Sequence, residues 1–184
     1  MISSALGPVL GHTPLREEWI QHLTPLAEQA KVYGLHFVLD LPTGTALRLL
    51  EAASPVQVRR MLVLTGSASP EYLDDLWDLG VGLLAVNVAD LQTLQLLLAQ
   101  VIQESRVRWA APSSALTPGE RRLLHLLARG YTNKQLAATL HLSERTVQNT
   151  LTRIFEKLGV SSRLEAGLRY WNCPVQEEAP TGPE

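Results

Sequence analysis

The sequence predicts two domains, an α/β domain with a reduced parallel sheet and flanking helices, followed by an all-α domain of four helices. In residues 1–104, short apolar runs alternate with helical stretches, which is the pattern of a parallel sheet covered by helices. Residues 116–171 contain four segments of helical periodicity, each with a capping residue at its start. Residues 105–115 lose this periodicity and gather serine and proline, which predicts a linker between the domains.

The strands and helices of the first domain are predicted from the places where its apolar runs begin and end. The candidate strands are residues 7–11, 35–41, 61–65 and 82–86. The second and third of these runs are almost continuously apolar, as expected for strands that are covered on both faces. The helices are predicted over residues 14–31, 45–53, 70–79 and 90–104. Little chain separates the first helix from the second strand, so we expect a sheet of only four strands.

The helix predicted over residues 90–104 is apolar around almost its whole circumference. Such a helix must be buried on more than one side, and a single sheet covers only one of them. The sequence allows two candidates for the surface that covers its other side: a second copy of the chain, or the all-α domain. For a second copy, the expected interface residues are Leu94, Leu98 and Ile102, which lie on one side of the helix.

The helices of the second domain are bounded by capping signals. Cap residues open all four of them: Thr117 with Glu120, Thr132 with Gln135, Ser143, and Ser162 with Glu165. Gly130 and Gly159 end the first and third helices, because a left-handed residue after a helix is least costly as glycine. Residues 141–142 form the turn between the second and third helices. The fourth helix is predicted to bury Leu164 and Leu168, with Trp171 as a further candidate.

The third helix, over residues 144–158, has one apolar face and one polar face. The polar face carries Arg145, Gln148, Asn149 and Thr152. An α-helix fits the major groove of DNA, where base edges present donors and acceptors that amide and hydroxyl groups can pair with. The competing interpretation is that this face is only the solvated side of a helical bundle.

The distribution of charge favours DNA over a merely solvated face. Residues 116–171 hold nine Lys or Arg and four Asp or Glu, a net charge of +5, whereas the whole chain has a net charge of −2. Positive charge concentrated in one domain is what contact with a phosphate backbone requires. We therefore predict that double-stranded DNA is a partner of this domain.

Four stretches of the second domain resemble the LuxR/FixJ-type DNA-binding domain of bacterial regulators. They are Leu-Thr-Pro-Gly-Glu-Arg at 116–121, Ala-Arg-Gly-Tyr-Thr-Asn-Lys-Gln-Leu-Ala at 128–137, Leu-Ser-Glu-Arg-Thr-Val at 142–147 and Ile-Phe-Glu-Lys-Leu-Gly-Val-Ser-Ser-Arg at 154–163. The resemblance implies a helix-turn-helix module whose third helix enters the major groove. It also implies that the fourth helix pairs two copies on DNA.

The resemblance assigns roles to individual residues. Gln148, Asn149 and Thr152 would read base edges. Contacts with phosphates would fall to Thr132, Asn133, Lys134, Arg145, Thr146 and Arg153. The chain departs from the family at two positions, because Gln148 stands where Lys or Arg is usual and Thr150 stands where His is frequent. Both departures reduce the positive charge of the reading helix, so we expect an operator preference that differs from the usual one.

Three strand ends of the first domain resemble those of a response-regulator receiver domain. Val-Leu-Asp-Leu-Pro-Thr-Gly at 38–44 resembles the phosphoacceptor strand and loop. Leu-Val-Leu-Thr-Gly-Ser at 62–67 resembles the switch-threonine strand, and Gly-Val-Gly-Leu-Leu-Ala-Val-Asn at 80–87 resembles the strand that normally ends in lysine. The corresponding receiver positions are Asp40, Thr65 and Asn87.

The chemistry of a receiver domain is not matched at these positions. Phosphorylation of the receiver aspartate needs a magnesium ion held by acidic residues, and residues 10–13 read Leu-Gly-His-Thr, with no carboxylate. Asn87 is neutral where the family has lysine. Asp40 therefore has two interpretations, a phosphoacceptor or a strand-end carboxylate that caps the following loop at Thr43 or Gly44. The second is favoured, so the receiver-like domain is predicted to be degenerate.

Taken together, these patterns predict a sequence-specific DNA-binding transcription regulator that is dimeric and independent of phosphorylation. The alternative is a protein-interaction module whose receiver-like half docks a protein partner, with DNA binding secondary. An enzyme is not expected, because the sequence shows no nucleophile with a base, no phosphate-binding loop and no metal-ligand spacing. No cofactor and no metal are therefore predicted.

Two further expectations concern the location and the end of the chain. No apolar run approaches the roughly 20 residues of a membrane helix, and no signal-like segment opens the sequence, so a cytoplasmic protein without membrane contact is predicted. The single cysteine, Cys173, cannot form an internal disulfide, which agrees with a reducing compartment. Residues 172–184 are rich in proline and glutamate and are predicted to be a disordered tail.

Overall fold

The computed structural model describes residues 17–88, 90–104, 106–110 and 113–173, with side chains from residue 23 onward. The chain divides into two compact units. Unit 1 consists of the chain up to Ala68 together with Leu73–Pro112, and unit 2 consists of Ser69–Tyr72 together with the chain from Ser113. The predicted strand at 7–11 and the predicted tail beyond Cys173 lie outside the described residues.

The sequence alternates strands and helices in its first part and has helices alone in its last part, as predicted. The elements in chain order are α1 (Glu17–Val32), β1 (His36–Asp40), α2 (Thr45–Ala52), α3 (Pro55–Val58), β2 (Met61–Thr65), α4 (Pro70–Asp78), β3 (Leu83–Val86), α5 (Leu91–Glu104), β4 (Val107–Trp109), α6 (Pro118–Ala128), α7 (Asn133–Leu140), α8 (Glu144–Leu158) and α9 (Arg163–Tyr170). Three of the predicted strands are confirmed as β1, β2 and β3. The short helix α3 was not predicted.

The sheet of unit 1 has four parallel strands in the order β1-β2-β3-β4. In its register, Asp40 at the end of β1 pairs with Thr65 at the end of β2, and Thr65 pairs with Val86 at the end of β3. Val63 and Leu84 are both fully buried, like their neighbours Leu62 and Leu83, so both faces of the sheet are covered. The parallel arrangement therefore places the three receiver-like strand ends at one edge.

The fourth strand lies in the segment that the sequence predicted as a linker. β4 has only three residues, and Arg108 at its centre interrupts any apolar run, so periodicity could not reveal it. Arg106, which precedes β4, is anchored rather than solvated. Arg106 donates to the carbonyl of Val81 at 3.0 Å and to the carbonyl of Trp77 at 2.7 Å, and its guanidinium lies 3.8 Å from the centre of the Trp77 ring. The prediction of an irregular linker is therefore wrong for residues 107–109, which form β4.

Helix α5 is covered on two sides, by the sheet and by α1. Its buried residues belong to a core cluster that includes Leu23, Leu26, Ala30, Leu62, Leu64, Leu83, Ala85, Leu94, Leu97, Leu98 and Val101. Helix α1 packs directly against α5, which explains why α5 is apolar on more than one side. The second covering surface is therefore a helix of the same unit, an arrangement that neither of the sequence-based alternatives included.

The prediction that Leu94 and Leu98 form a dimer interface is wrong. Leu94 is 0% exposed and Leu98 is 1% exposed, both inside the core of unit 1. Only Ile102 of the three candidates reaches the surface, with 38% of its area exposed. The apolar pattern of a helix shows that a residue is buried, but it does not show which neighbour buries it.

The four helices of unit 2 begin at the predicted caps. Thr117 and Thr132 each accept a hydrogen bond from the backbone N–H three residues later, and the Glu120 and Gln135 side chains return the bond. Ser143 and Ser162 cap α8 and α9 in the same way, but without the returning bond to the cap residue. The turn between α7 and α8 begins at His141, whose φ of 54° is left-handed. These helix starts are confirmed.

The fourth helix of unit 2 buries the predicted residues only in part, since Leu168 and Trp171 are half-buried. Ala166 and Tyr170 of α9 are fully buried, whereas Leu164 is 71% exposed. The Tyr170 hydroxyl lies within hydrogen-bond distance of Nδ1 of His125, at 3.0 Å, and the ring nitrogen of Trp171 donates to the carbonyl of Ala128 at 3.0 Å. The prediction that Leu164 is buried is therefore wrong, because aromatic residues at the end of α9 provide its contact with α6.

None of the helices in the described part of the chain is both long enough and apolar enough to span a bilayer.

Candidate nucleic-acid interface

Helix α8 presents its polar residues on the face opposite its core. Arg145, Gln148, Asn149 and Thr152 are spaced i, i+3, i+4 and i+7, which puts them within a sector of about 100° around the helix axis. The buried residues occupy the opposite side: Val147, Leu151, Ile154 and Leu158. All four polar residues are exposed. The helix has two distinct faces because apolar and polar positions are separated in the sequence over its four turns.

The amides of Gln148 and Asn149 have no hydrogen-bond partner among the described residues. Each amide offers both donors and an acceptor, the combination needed to pair bidentately with a base edge. The Thr152 hydroxyl donates to the carbonyl of Gln148 at 3.2 Å, so its oxygen remains available as an acceptor. The three predicted base-reading residues therefore lie together on one exposed surface.

The first turn of α8 is held by its cap. The Ser143 hydroxyl accepts from the backbone N–H of Thr146 at 3.0 Å and lies 2.8 Å from the Thr146 hydroxyl. Thr150 donates back to the carbonyl of Thr146 at 2.8 Å. Arg153 is exposed on the same flank of the helix, about 90° from the centre of the reading face. Thr146 and Arg153 are thus beside the reading face and not on it.

The start of α7 supplies the remaining predicted phosphate contacts. Lys134 is exposed in the first turn, and Asn133 is half-buried. The Thr132 hydroxyl accepts from the backbone N–H of Gln135 at 3.3 Å and donates to the Gln135 side-chain oxygen at 3.0 Å. Its hydrogen is therefore already used within the cap. Helix α7 packs against α8, so both helix starts belong to one packed pair.

Only some of the basic side chains of unit 2 are exposed and outside ion pairs, and so available to bind a phosphate. Arg121 is buried and donates to the carbonyl of Leu116 at 3.2 Å, and Arg163 is half-buried at the start of α9. Lys157 donates to both carboxylate oxygens of Glu120, at 2.8 and 2.9 Å, and this bond holds the pKa of Glu120 below its usual value. Within the described residues, the exposed cations of the α7–α8 pair that form no ion pair are Lys134, Arg145 and Arg153.

The receiver-like positions of unit 1 are linked by hydrogen bonds. Asp40 is fully buried. One of its carboxylate oxygens accepts from the backbone N–H groups of Gly44 at 3.0 Å and Ala46 at 2.9 Å, and the other accepts from the Thr65 hydroxyl at 2.9 Å. Asn87 is exposed, and its backbone N–H donates to the carbonyl of Thr65 at 3.0 Å. Asp40 thus caps the loop after β1 at Gly44, one of the two predicted positions.

Comparison with known proteins places this arrangement in a family. Residues 114–168 match the family of bacterial regulatory proteins, luxR family. The DNA-binding transcriptional activator DevR/DosR of Mycobacterium tuberculosis is 35% identical over 155 residues, which cover 71% of this chain and 70% of the relative. The chain belongs to the LuxR/FixJ-type response regulators.

Other relatives of this LuxR/FixJ-type regulator are similar to it over a shorter stretch. The probable transcriptional regulator GfsR of Streptomyces halstedii is 43% identical over 70 residues, covering 38% of this chain and 29% of the relative. The chain thus spans less than a third of the length of that relative. A solved structure of RcsB from Salmonella enterica serovar Typhimurium bound to a promoter is 22% identical, with a TM-score of 0.38, covering 62% of this chain and 60% of that chain.

Two structural residues of this LuxR/FixJ-type regulator could not be found from the sequence. Arg163 donates to the carbonyl of Tyr131 and to the side chain of Asn133, and Lys157 pairs with Glu120. Both lie in the stretch 154–163 that resembles the family, but their partners are 30 and 37 residues away in sequence. Nothing in the local pattern indicates such pairs, so only the packing of the helices reveals them.

Proposed function

We propose that this regulator binds duplex DNA through α7 and α8 and selects its sites with Gln148, Asn149 and Thr152. The observation that supports this most directly is the pair of exposed amides on α8, opposite the core and without partners among the described residues. Paired with base edges, each amide contributes about 1–3 kcal/mol of discrimination against a wrong base. The family supports transcription regulation as the use of this binding.

The phosphate contacts divide into charged and neutral ones. Lys134, Arg145 and Arg153 supply the charge, and we expect them to neutralise phosphates on either side of the groove. Asn133 contributes through its side-chain N–H groups, and Thr146 contributes its hydroxyl. Thr132 is assigned to capping α7, because its hydroxyl hydrogen already goes to Gln135.

The proposal is tested by selecting bound sequences from a random duplex pool with the full chain. We expect a recovered motif made of two related half-sites, and the same selection with Gln148→Ala/Asn149→Ala should recover no motif. A matched control is Glu144→Ala/Glu156→Ala, which changes two exposed residues of α8 outside the set of base readers. If the wild-type chain shows no salt-dependent DNA binding, the alternative of a protein-docking module is favoured instead.

We infer that two copies pair on DNA through α9. Leu164 is exposed over 71% of its area in the first turn of α9, and Leu168 follows one turn later on the same side. An exposed leucine followed one helical turn later by a half-buried one offers an apolar surface suited to a contact between copies. Leu164→Glu should abolish binding of a second copy to a two-site duplex and leave binding to a single half-site unchanged. Sedimentation and gel-shift stoichiometry measure both, and cooperative pairing that survives Leu164→Glu would exclude α9 as the contact.

We also propose that regulation does not depend on phosphorylation of Asp40. Its carboxylate is fully buried and both of its oxygens accept hydrogen bonds from the protein, so neither oxygen is presented to a phosphodonor. Residues 10–13 carry no acidic side chain to hold magnesium. Incubation of the full chain with acetyl phosphate and magnesium should leave its intact mass unchanged. A stable adduct at Asp40 that alters DNA affinity would overturn this proposal.

A further inference from the structure

Arg163, the first residue of α9, connects that helix to the start of α7. Its guanidinium donates one hydrogen bond to the backbone carbonyl of Tyr131 and another to Oδ1 of Asn133, the latter at 3.3 Å. Tyr131 and Asn133 lie on either side of Thr132, the residue that caps α7. Arg163 therefore holds both sides of the helix start that we propose as a phosphate contact.

The contact determines which end of the Asn133 amide is available to a ligand. A guanidinium has N–H donors and no acceptor, so the Asn133 atom that faces Arg163 must be the oxygen. The side-chain nitrogen of Asn133, with its two N–H groups, is then directed away from Arg163. It has no acceptor among the described residues. A phosphate oxygen needs donors, so this orientation is the one that suits a phosphate.

The charge of Arg163 is also uncompensated. Both of its acceptors are neutral, and no carboxylate in the described part of the chain forms an ion pair with it. Lys157 differs in this respect, because its charge is matched by Glu120. A half-buried cation next to a helix N-terminus adds to the partial positive charge of the unpaired backbone N–H groups there. The start of α7 is thus more positive than its own residues alone would make it.

We propose that Arg163 is a positioning residue for DNA binding, which orients the Asn133 amide toward a phosphate and adds positive potential at the start of α7. It acts through Asn133 and does not itself touch DNA. This inference rests on the proposed DNA-binding function and deepens it, because it assigns the phosphate contact at α7 to a pair of residues and not to one.

A double-mutant cycle in the full chain tests the coupling of the pair. Dissociation constants for one duplex at one salt concentration are measured for Asn133→Ala, Arg163→Ala and the double variant. We expect Asn133→Ala to weaken binding about three-fold and Arg163→Ala about ten-fold, with the double variant no weaker than Arg163→Ala. Effects that multiply independently would overturn the proposal, since they would show that Asn133 binds phosphate without help from Arg163.

A spectroscopic measurement without DNA separates this inference from the proposed function. In Arg163→Ala, the side-chain NH2 resonances of Asn133 should move toward those of a freely rotating asparagine, while those of exposed Asn149 stay in place. Asn133 resonances that do not change would overturn the proposal. If the wild-type chain binds no duplex, the DNA-binding function fails, but this measurement still decides whether Arg163 orients Asn133.

Arg163→Lys keeps the experiment informative if Arg163→Ala does not fold. Lysine keeps the charge, but its single ammonium cannot bridge two acceptors in the fixed geometry of a guanidinium. We expect the salt dependence of DNA binding to stay at the wild-type value and the coupling to Asn133 to be lost. Full coupling in Arg163→Lys would show that charge alone suffices and would overturn the orienting role.

Discussion

The carboxylate of Asp40 is the group whose interpretation changes most once its surroundings are known. At the end of a strand and before a turn, an aspartate suits either phosphoryl transfer or capping. Its donors include two backbone N–H groups and the Thr65 hydroxyl, and they use both oxygens inside a buried site. This geometry is that of a structural cap, which ties the loop before α2 to the end of β2.

We predict that Asp40→Ala destabilises unit 1 by about 2–4 kcal/mol, because it leaves buried donors without an acceptor. Hydrogen exchange at the amides of Gly44 and Ala46 should speed up together with global unfolding of unit 1 in urea. Glu104→Ala is the control, since it removes an exposed carboxylate from the end of α5 and should change stability by less than about 0.5 kcal/mol. Unchanged protection at Gly44 in Asp40→Ala would contradict the capping role.

At the scale of whole elements, a charged contact between Glu120 and Lys157 joins the start of α6 to the end of α8. Glu120 serves two purposes, since its carboxylate accepts from the Thr117 backbone N–H at 2.8 Å and from Lys157 at 2.8 Å. The bond from Lys157 lowers the pKa of Glu120 most, followed by the backbone bond from Thr117. One side chain thus completes the capping box of α6 and connects it to the last turn of α8.

The pH dependence of this contact follows from the direction of the shift. Because the pKa of Glu120 is lower in the folded state, its stabilising contribution is complete above the unfolded value of about 4.3 and is lost as the pH falls through the folded value. We predict that Lys157→Met costs about 0.5–1 kcal/mol at neutral pH and that the difference from wild type shrinks at low pH. Thermal unfolding of unit 2 at several pH values measures this. Lys134→Met is the control, and a constant difference across the pH range would contradict the assignment.

Helix α5 shows how one element can contain both core and surface leucines. Leu98 is 1% exposed, whereas Leu96, two positions away, is 69% exposed. We predict that Leu98→Glu destabilises unit 1 by more than about 3 kcal/mol, because it buries a charge and removes core packing. Leu96→Glu should stay within about 0.5 kcal/mol of wild type. Urea unfolding measures the free energy of unfolding of both variants. A Leu98→Glu chain as stable as wild type would contradict the burial of Leu98 in the core and would favour α5 as an interface between copies.

For the molecule as a whole, net charge and local charge have opposite signs. The chain carries −2 in total, while residues 116–171 carry +5. Within that domain, only part of the positive charge is both exposed on the α7–α8 pair and outside ion pairs among the described residues, namely that of Lys134, Arg145 and Arg153. The number of phosphates neutralised per copy should therefore be about three, well below the count of basic residues.

We predict that the logarithm of the affinity of the full chain for DNA falls with the logarithm of salt concentration with a slope of about −3 per bound copy. Lys134→Ala should reduce the magnitude of this slope by about 1 and weaken all sequences alike, because it contacts phosphate and not bases. Gln148→Ala should leave the slope unchanged and reduce preference for the selected site by about 1–3 kcal/mol. Binding titrations at several salt concentrations, with selected and random duplexes, measure both. A loss of preference in Lys134→Ala would show that the roles of the two residues are exchanged.

Local patterns in the sequence were sufficient to predict the class of fold, the helix starts of unit 2 and the polar face of α8. These features depend on residues within a few positions of each other, such as a cap and the N–H three residues later, or apolar residues one helical turn apart. Such signals do not depend on the rest of the chain. For this reason the proposed base-reading residues could be grouped from the order of residues in α8 alone.

The packing of the elements was needed to show what each buried or charged side chain faces. The donors to Asp40 include Thr65, 25 residues away, and the partners of Arg163 and Lys157 lie 30 and 37 residues away. Two other features also depend on contacts between distant parts of the chain. One is the burial of Leu94 and Leu98 by α1 and the sheet, and the other is the pairing of β4 with β3. A contact across the fold depends on how elements pack, and neither periodicity nor a cap carries that information.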